Sequence, residues 1–187
     1  YILGAQLCLG KFGIIRECAD KSICEILACK SIAKERLVTE DDVRSREARV
    51  RILTKLSGHD NVVDLKAMYE DDDHVHLLME LCAGGELFHL IEKQGNFSEH
   101  EASVVFKQLM EVVMYCHDKG IVHRDLKPEN NLLVLRSSSS SPIKLADFGL
   151  ATHIEPGNLF SSCVHCYYMQ LQHDNYLSRE YFKCCTN

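Results

Sequence analysis

The chain has 187 residues, a formal net charge of −6 and an apolar fraction of 46%, which is the composition of an ordinary soluble globular protein. The acidic balance argues against a nucleic-acid-binding protein, which normally carries a basic patch, and no apolar run is long enough to span a membrane. Most of the ten cysteines lie in apolar runs and indicate small buried residues in a reducing compartment, which we expect to be the cytoplasm or the nucleus.

The first part of the chain predicts β-strands. Branched residues dominate residues 14–18 and 23–30, and the polar residues 19–22 between them predict a hairpin turn. Two further strands are predicted over residues 62–69 and 74–80, joined by an acidic turn.

Two helices are predicted from capping signals and periodicity. A sequence that resembles a capping box opens the first, over residues 39–56. The second begins with a full capping box, Ser98 with Glu101. Apolar residues then recur at steps of three and four as far as Cys116, and Gly120 ends the run.

Two short motifs carry the chemistry of the chain. Residues 121–130 read IVHRDLKPEN, and residues 146–149 read ADFG. They place a carboxylate, an ammonium group, an amide and a second carboxylate in the order that phosphoryl transfer from a metal-bound nucleotide requires.

These motifs resemble the catalytic loop and the metal-binding triplet of eukaryotic protein kinases, and Lys127 corresponds to the serine/threonine-kinase form of the loop. The wording of residues 80–88 and 57–59 is similar to the calcium/calmodulin-dependent kinase group, which includes the plant calcium-dependent kinases. No EF-hand calcium loop occurs in the sequence. The resemblance runs from about Leu7 to Leu150.

The resemblance implies an α+β, two-lobed fold with a β-rich N-lobe and a helical, incomplete C-lobe. Residues 83–85 (AGG) break the chain, which suits a linker between lobes over residues 1–81 and 82–187. Residues 170–172 read QLQ where the family has Ala-Pro-Glu, so we expect a kinase domain truncated after the Asp-Phe-Gly triplet.

The resemblance also implies ATP and Mg²⁺ as cofactors and a protein as substrate. Asp125 would accept or orient the proton of the attacking hydroxyl, and Lys127 would steady the moving phosphoryl group. Asn130 and Asp147 would hold magnesium, which prefers oxygen ligands. The nucleotide-binding residues implied in the same way are Leu7, Gly10, Gly13, Ile15, Ala28, Lys30, Glu80, Cys82, Glu86 and Leu132.

The sequence departs from the family pattern in the upper lobe and beside the catalytic loop. Cys8 replaces the first glycine of the glycine-rich loop, and Asn131 stands where the family has an aliphatic residue. The helix should carry a glutamate that pairs with Lys30, but Arg49 occupies that position. Glu47 lies about 200° away around the helix, so it faces Lys30 only if the helix slips or carries an insertion.

These departures leave two alternatives open: a catalytically impaired, nucleotide-binding scaffold or dominant-negative fragment that pairs with full-length kinases through its exposed helix, and a fragment that does not fold alone. A regulatory protein partner is a further expectation. The resemblance also implies that a phosphate on the activation segment would pair with Arg124 and so control activity, and Thr152, Ser161 and Ser162 are the candidate sites of that phosphorylation. Residues 163–166 (CVHC) have the inner spacing of a zinc knuckle without a second CxxC, which favours scattered thiols over a metal site.

Overall fold

The computed structural model describes residues 1–10, 13–21, 25–36, 40–95, 97–136 and 141–153. It divides into two compact units, the first over Tyr1–Cys82 and the second from Ala83 onward. The division falls one residue after the lobe boundary expected from the sequence. Among the helices that can be described, none combines the length and the apolar character needed to span a membrane.

The first unit is a five-stranded antiparallel sheet in the order β1-β2-β3-β5-β4, with one long helix. Its elements are β1 Ile2–Gly10, β2 Gly13–Ala19, β3 Ile26–Ala33, a 3-10 turn Lys34–Arg36, α1 Glu40–Leu56, β4 Leu65–Glu70 and β5 His74–Glu80. The predicted strands over 14–18 and 74–80 are confirmed in position, whereas the strand predicted over 23–30 is displaced toward the C-terminus, since β3 begins at Ile26 and ends at Ala33. The predicted cap at Thr39 lies outside the described residues.

Two details of this unit differ from the expectation. The expected glycine-rich loop begins within a long strand, because β1 pairs with β2 along its length, with register shifts on either side of Gln6. The strand predicted from residue 62 begins only at Leu65. Asp64 lies outside the strand, and its amide donates to the side-chain Oε1 of Glu80 rather than to a main-chain carbonyl of β5.

Both faces of the sheet are buried in part. One face carries a cluster of Cys18, Leu27, Cys29 and Leu78. The other face carries a cluster of Ile32, Val75 and Leu77, against which Val50 of α1 packs. Since residues two apart on a strand share a face, Lys30 lies on the side of Ile32, where α1 packs.

The second unit is mainly helical, with short strands. Its elements are β6 Gly85–Glu86, α2 Leu87–Gln94, α3 Glu99–Asp118, β7 Ile121–Val122, a 3-10 turn Pro128–Asn130, β8 Asn131–Leu133, β9 Ile143–Leu145, a 3-10 turn Phe148–Leu150 and β10 Thr152–His153. β6, β8 and β9 form one antiparallel sheet, and β7 pairs with β10. The sequence did not predict α2, whose eight residues are too few to establish a helical period.

The long helix α3 confirms the predicted capping box. The Glu101 amide donates to Ser98 Oγ at 3.2 Å, and the Ser98 amide donates to the Glu101 carboxylate at 2.9 Å. These two bonds satisfy donors that the first turn of a helix otherwise leaves without a partner. The helix buries Leu109, Val112 and Cys116, so its apolar face supports the sheet segments that carry the two motifs.

Candidate active site

The two motifs lie in the second unit, on loops that follow short strands. Residues 123–127 connect β7 to the turn before β8, and residues 146–147 follow β9. Each motif contains a residue other than glycine with a positive φ, Arg124 at 63° and Asp147 at 52°. Such backbone conformations cost free energy and persist where the surrounding contacts hold them.

Three of the predicted catalytic and metal-binding residues form one contact cluster. Asn130 Nδ2 donates to the main-chain oxygen of Asp125 at 2.8 Å and to its carboxylate Oδ2 at 2.9 Å. Lys127 Nζ lies 3.0 Å from the same Oδ2. The carboxylate of Asp125 is therefore held by an amide and an ammonium group, which fixes where it points.

The charges of this cluster favour a protonated lysine. Burial by itself lowers the pKa of Lys127, but the hydrogen bond and charge of Asp125, with the charges of Glu129 and Asp147, outweigh it and raise the pKa. Lys127 is therefore cationic at neutral pH, as a residue that steadies a phosphoryl group must be.

The fold brings Asp147 to the end of the hairpin where Asn130 lies. In the antiparallel pair β8–β9, Asn131 is the partner of Leu145, and the Ala146 amide donates to the main-chain oxygen of Asn130 at 2.8 Å. The residue before β8 and the residues after β9 therefore meet at one end of the pair.

Asn130 and Asp147 suit magnesium. Because Nδ2 of Asn130 makes both bonds to Asp125, its amide oxygen is the atom left to ligate a cation. Among the described residues no group of three or more His, Cys, Asp or Glu could hold a metal. A site with one carboxylate and one amide oxygen fits magnesium, which commonly takes few protein ligands and completes its shell with phosphate oxygens and water.

His123 links the two motifs, and no role was predicted for it although it lies within the first motif. Its Nδ1 accepts from the Asp125 amide at 3.2 Å, so Nε2 carries the proton and donates to the Ala146 carbonyl at 2.9 Å. The ring also meets Phe148 edge-on, with centroids 4.7 Å apart. Burial lowers the pKa of His123, which favours the neutral form that both hydrogen bonds require.

Asn131, the polar substitution beside the cluster, is fully buried. Its Nδ2 donates to the main-chain oxygen of Lys127 at 2.8 Å, so this side-chain amide stabilises the conformation of the loop over residues 123–127. Its Oδ1 has no hydrogen-bond partner among the described residues. The cost expected for burying this amide is therefore only partly offset.

In the first unit, part of the predicted glycine-rich loop lies on the paired ends of β1 and β2. Gly10 is the cross-strand partner of Gly13, and Cys8 is the partner of Ile15. A Cβ on Gly13 would clash with the carbonyl oxygen of Ser31 on β3. Glycine is therefore needed at this position for the packing of β2 on β3, apart from any contact with a nucleotide. Residues 11 and 12 lie outside the described residues.

The two residues predicted on β3 are adjacent on one face of the sheet. Ala28 is the cross-strand partner of Met79, and Lys30 is the partner of Leu77, both on β5. This register places Lys30 in the centre of the sheet, where strands on both sides hold its backbone.

Helix α1 turns Arg49, rather than Glu47, toward the protein. Glu47 is exposed, whereas Arg49 is half-buried in the arc of Ile52, Leu53 and Leu56. Of the two candidates that the sequence left open, Arg49 is therefore the residue turned inward, and Glu47 faces outward.

The remaining predicted residues are divided between the two units. Glu80 ends β5, and Cys82 is the last residue of the first unit. In the second unit Glu86 and Leu132 are direct cross-strand partners on β6 and β8. The predicted nucleotide-binding residues thus fall into two groups, one in each unit. Residues 163–166, for which scattered thiols were expected rather than a metal site, lie outside the described residues, as do Ser161 and Ser162.

Comparisons with known proteins agree with this geometry. A family model described as the protein kinase domain matches residues 1–178. The chain is 47% identical over 179 residues to calcium-dependent protein kinase 29 of Arabidopsis thaliana, and 48% identical over 170 residues to calcium-dependent protein kinase 10 of the same plant. It is 45% identical over 170 residues to calcium-dependent protein kinase 8 of Oryza sativa subsp. japonica.

These matches cover 94%, 90% and 90% of the chain and 33%, 31% and 31% of the relatives, so the chain spans about a third of their length. The chain belongs to the protein kinase family. Its fold class is the one that the motifs implied, a kinase fold with a β-rich first unit and a largely helical second unit.

Proposed function

We propose that this chain transfers the γ-phosphoryl group of ATP to serine or threonine hydroxyls of protein substrates. The observation that carries the proposal is the cluster in which Asp125 Oδ2 contacts both Lys127 and Asn130. Kinase relatives over nine-tenths of the chain support it. Asp147, at the same end of the β8–β9 pair, supplies the second carboxylate that this chemistry requires.

In the proposed reaction the substrate hydroxyl oxygen attacks the γ-phosphorus and the bond to the bridging oxygen breaks, so ADP leaves with the electron pair. Asp125 takes the hydroxyl proton, and its fixed orientation aims the hydroxyl. Lys127, cationic beside Asp125, offsets negative charge on the transferred group. Magnesium, held by Asn130 and Asp147, would neutralise charge on the phosphates when bound.

The first unit supplies the proposed nucleotide contacts. The hairpin around Gly10 and Gly13 would cover the phosphates, and Lys30 would bind them. Backbone groups of Glu80 and Cys82 would meet the adenine, and Glu86 would contact the ribose. We place this activity in the cytoplasm or nucleus, with a regulatory protein as a further partner.

The transfer of labelled phosphate tests the proposal. The purified chain with γ-labelled ATP and magnesium should label itself or a generic protein substrate. Asp125→Asn keeps the shape of the side chain but removes the base, so the rate should fall by about 100-fold or more. Asp72→Asn, which removes the same charge from the exposed turn after β4, is the matched control. Labelling by Asp125→Asn at the parental rate would refute the assignment.

A scaffold function is the second candidate, because Glu47 is exposed and Arg49 occupies the buried arc of α1. Active kinases carry at this position of the helix a glutamate that orients the phosphate-binding lysine, and here an arginine stands in its place. The kinase relatives favour the enzyme over this alternative. Thermal stabilisation by ATP and magnesium without any transfer would support the scaffold, and measurable transfer would exclude it.

A further inference from the structure

Residues 80–82, the segment expected to contact adenine, leave the sheet after their first residue, Glu80. β5 ends at Glu80, where Leu27 of β3 is its last cross-strand partner. The strand ladder therefore does not extend to residues 81 and 82. The direction in which these residues leave the sheet depends on what holds Glu80.

Two hydrogen bonds join the main chain of Asp64 to Glu80. The Glu80 amide donates to the Asp64 carbonyl at 3.0 Å, and the Asp64 amide donates to Glu80 Oε1 at 2.7 Å. The second bond is short and its acceptor is a carboxylate oxygen, so it is of the stronger kind. Because the Glu80 amide is already used by Asp64, it is not a donor to the nucleotide.

The side chain of Asp64 reaches in the opposite direction, to the end of α1. Its Oδ1 accepts from Ser57 Oγ and from the Gly58 amide, both at 2.9 Å, and Lys66 Nζ lies 3.3 Å from Oδ2. Gly58 has a φ of 89°, which permits the sharp turn after α1. Burial alone raises the pKa of Asp64, but the bonds from Gly58, Ser57 and Lys66 outweigh it and lower the pKa.

We propose that Asp64 is a positioning residue for the nucleotide, connecting the end of α1 through Glu80 to the adenine-binding segment. The inference rests on the proposed function, since it assumes that residues 80–82 receive the adenine. It adds a residue outside the kinase motifs, and it predicts that nucleotide affinity depends on a side chain that does not touch the nucleotide.

Nucleotide affinity of the full chain tests this inference, measured by calorimetric titration with ADP and magnesium. Asp64→Ala removes the link to α1 and should weaken binding about fivefold or more. Asp64→Asn keeps the Oδ1 acceptor and should restore affinity to within about twofold of the parent. Glu80→Ala removes the bond from the Asp64 amide and should weaken binding to a similar extent.

Asp71→Ala is the matched control for loss of stability alone. Asp71 precedes β5 at the other end of the strand. Its carboxylate, like that of Asp64, accepts three hydrogen bonds, here from the amides of Asp73 and His74 and from His76 Nε2. This variant should lower the melting temperature without changing the affinity for ADP.

The outcomes separate the inference from the proposed function. If the parent binds ADP and both alanine variants at 64 and 80 bind it equally well, the positioning role is wrong while nucleotide binding stands. If the parent binds no nucleotide, both are wrong. If Asp64→Ala does not fold by circular dichroism, Glu80→Ala and Ser57→Ala, which removes one bond to Asp64, decide the question by the same affinity criterion.

Discussion

The buried histidine between the two motifs makes stability depend on pH in a defined direction. His123 is 3% exposed, and its Nδ1 faces the Asp125 amide, which is a donor. Protonation of Nδ1 would leave two N–H groups, of His123 and of the Asp125 amide, facing each other, and the hydrogen bond between them would be lost. The folded state therefore resists protonation, in agreement with a pKa held below the ordinary value of 6.5 by burial.

The sign and size of the effect follow from linkage. Below pH 6.5 the unfolded chain takes up a proton on this residue that the folded chain refuses. The contribution of neutral His123 is thus fully present above pH 6.5 and is lost as the pH falls from there toward the lowered pKa of the folded state. Over that window one proton changes the free energy of unfolding by about 1.4 kcal/mol per pH unit.

His123→Gln isolates this contribution, because an amide can accept from Asp125 and donate to Ala146 but does not titrate. Urea unfolding of both proteins at several pH values between 7.5 and 5 measures the difference in slope, in which the other histidines cancel. We expect the parent to lose stability more steeply than the variant as the pH falls below about 6.5. Equal slopes, or a steeper slope for the variant, would refute the neutral, buried role of His123.

Three further predictions concern packing and capping. Ser98→Ala should lower the free energy of unfolding by about 1 kcal/mol, and Ser98→Asn should restore most of it, because either oxygen caps α3; an unchanged urea midpoint for the alanine variant would contradict this. Val112→Ala opens a cavity on the buried side of α3 and should cost about 2 kcal/mol, whereas Met114→Ala, at a side chain 62% exposed, should change unfolding by less than about 0.5 kcal/mol. Gly13→Ala should cost about 1–3 kcal/mol by clashing with β3, while Gly4→Ala, whose Cβ would meet only ordinary contacts, should be tolerated; equal melting temperatures for this pair would show that β2 can shift.

Local signals in the sequence predicted the elements whose hydrogen bonds close within a few residues. The helix beginning after Ser98 was predicted with its cap and its buried face, because a capping box and a period of 3.6 residues are both local properties. The motif residues Asp125, Lys127 and Asn130 were predicted together because only six positions of chain contain them, and the structure joins them by direct contacts.

The sequence alone thus determined which residues of the second unit form one cluster and the type of fold around them. Only the tertiary structure decided that Glu47 faces outward, that the main chain of Asp64 holds Glu80 while its side chain reaches the end of α1, and that His123 joins the two motifs. The reason is the range of the interactions. Those three outcomes depend on packing or hydrogen bonds between residues distant along the chain. Helix and strand propensities and hydrophobic periodicity are local properties, so they do not report such interactions.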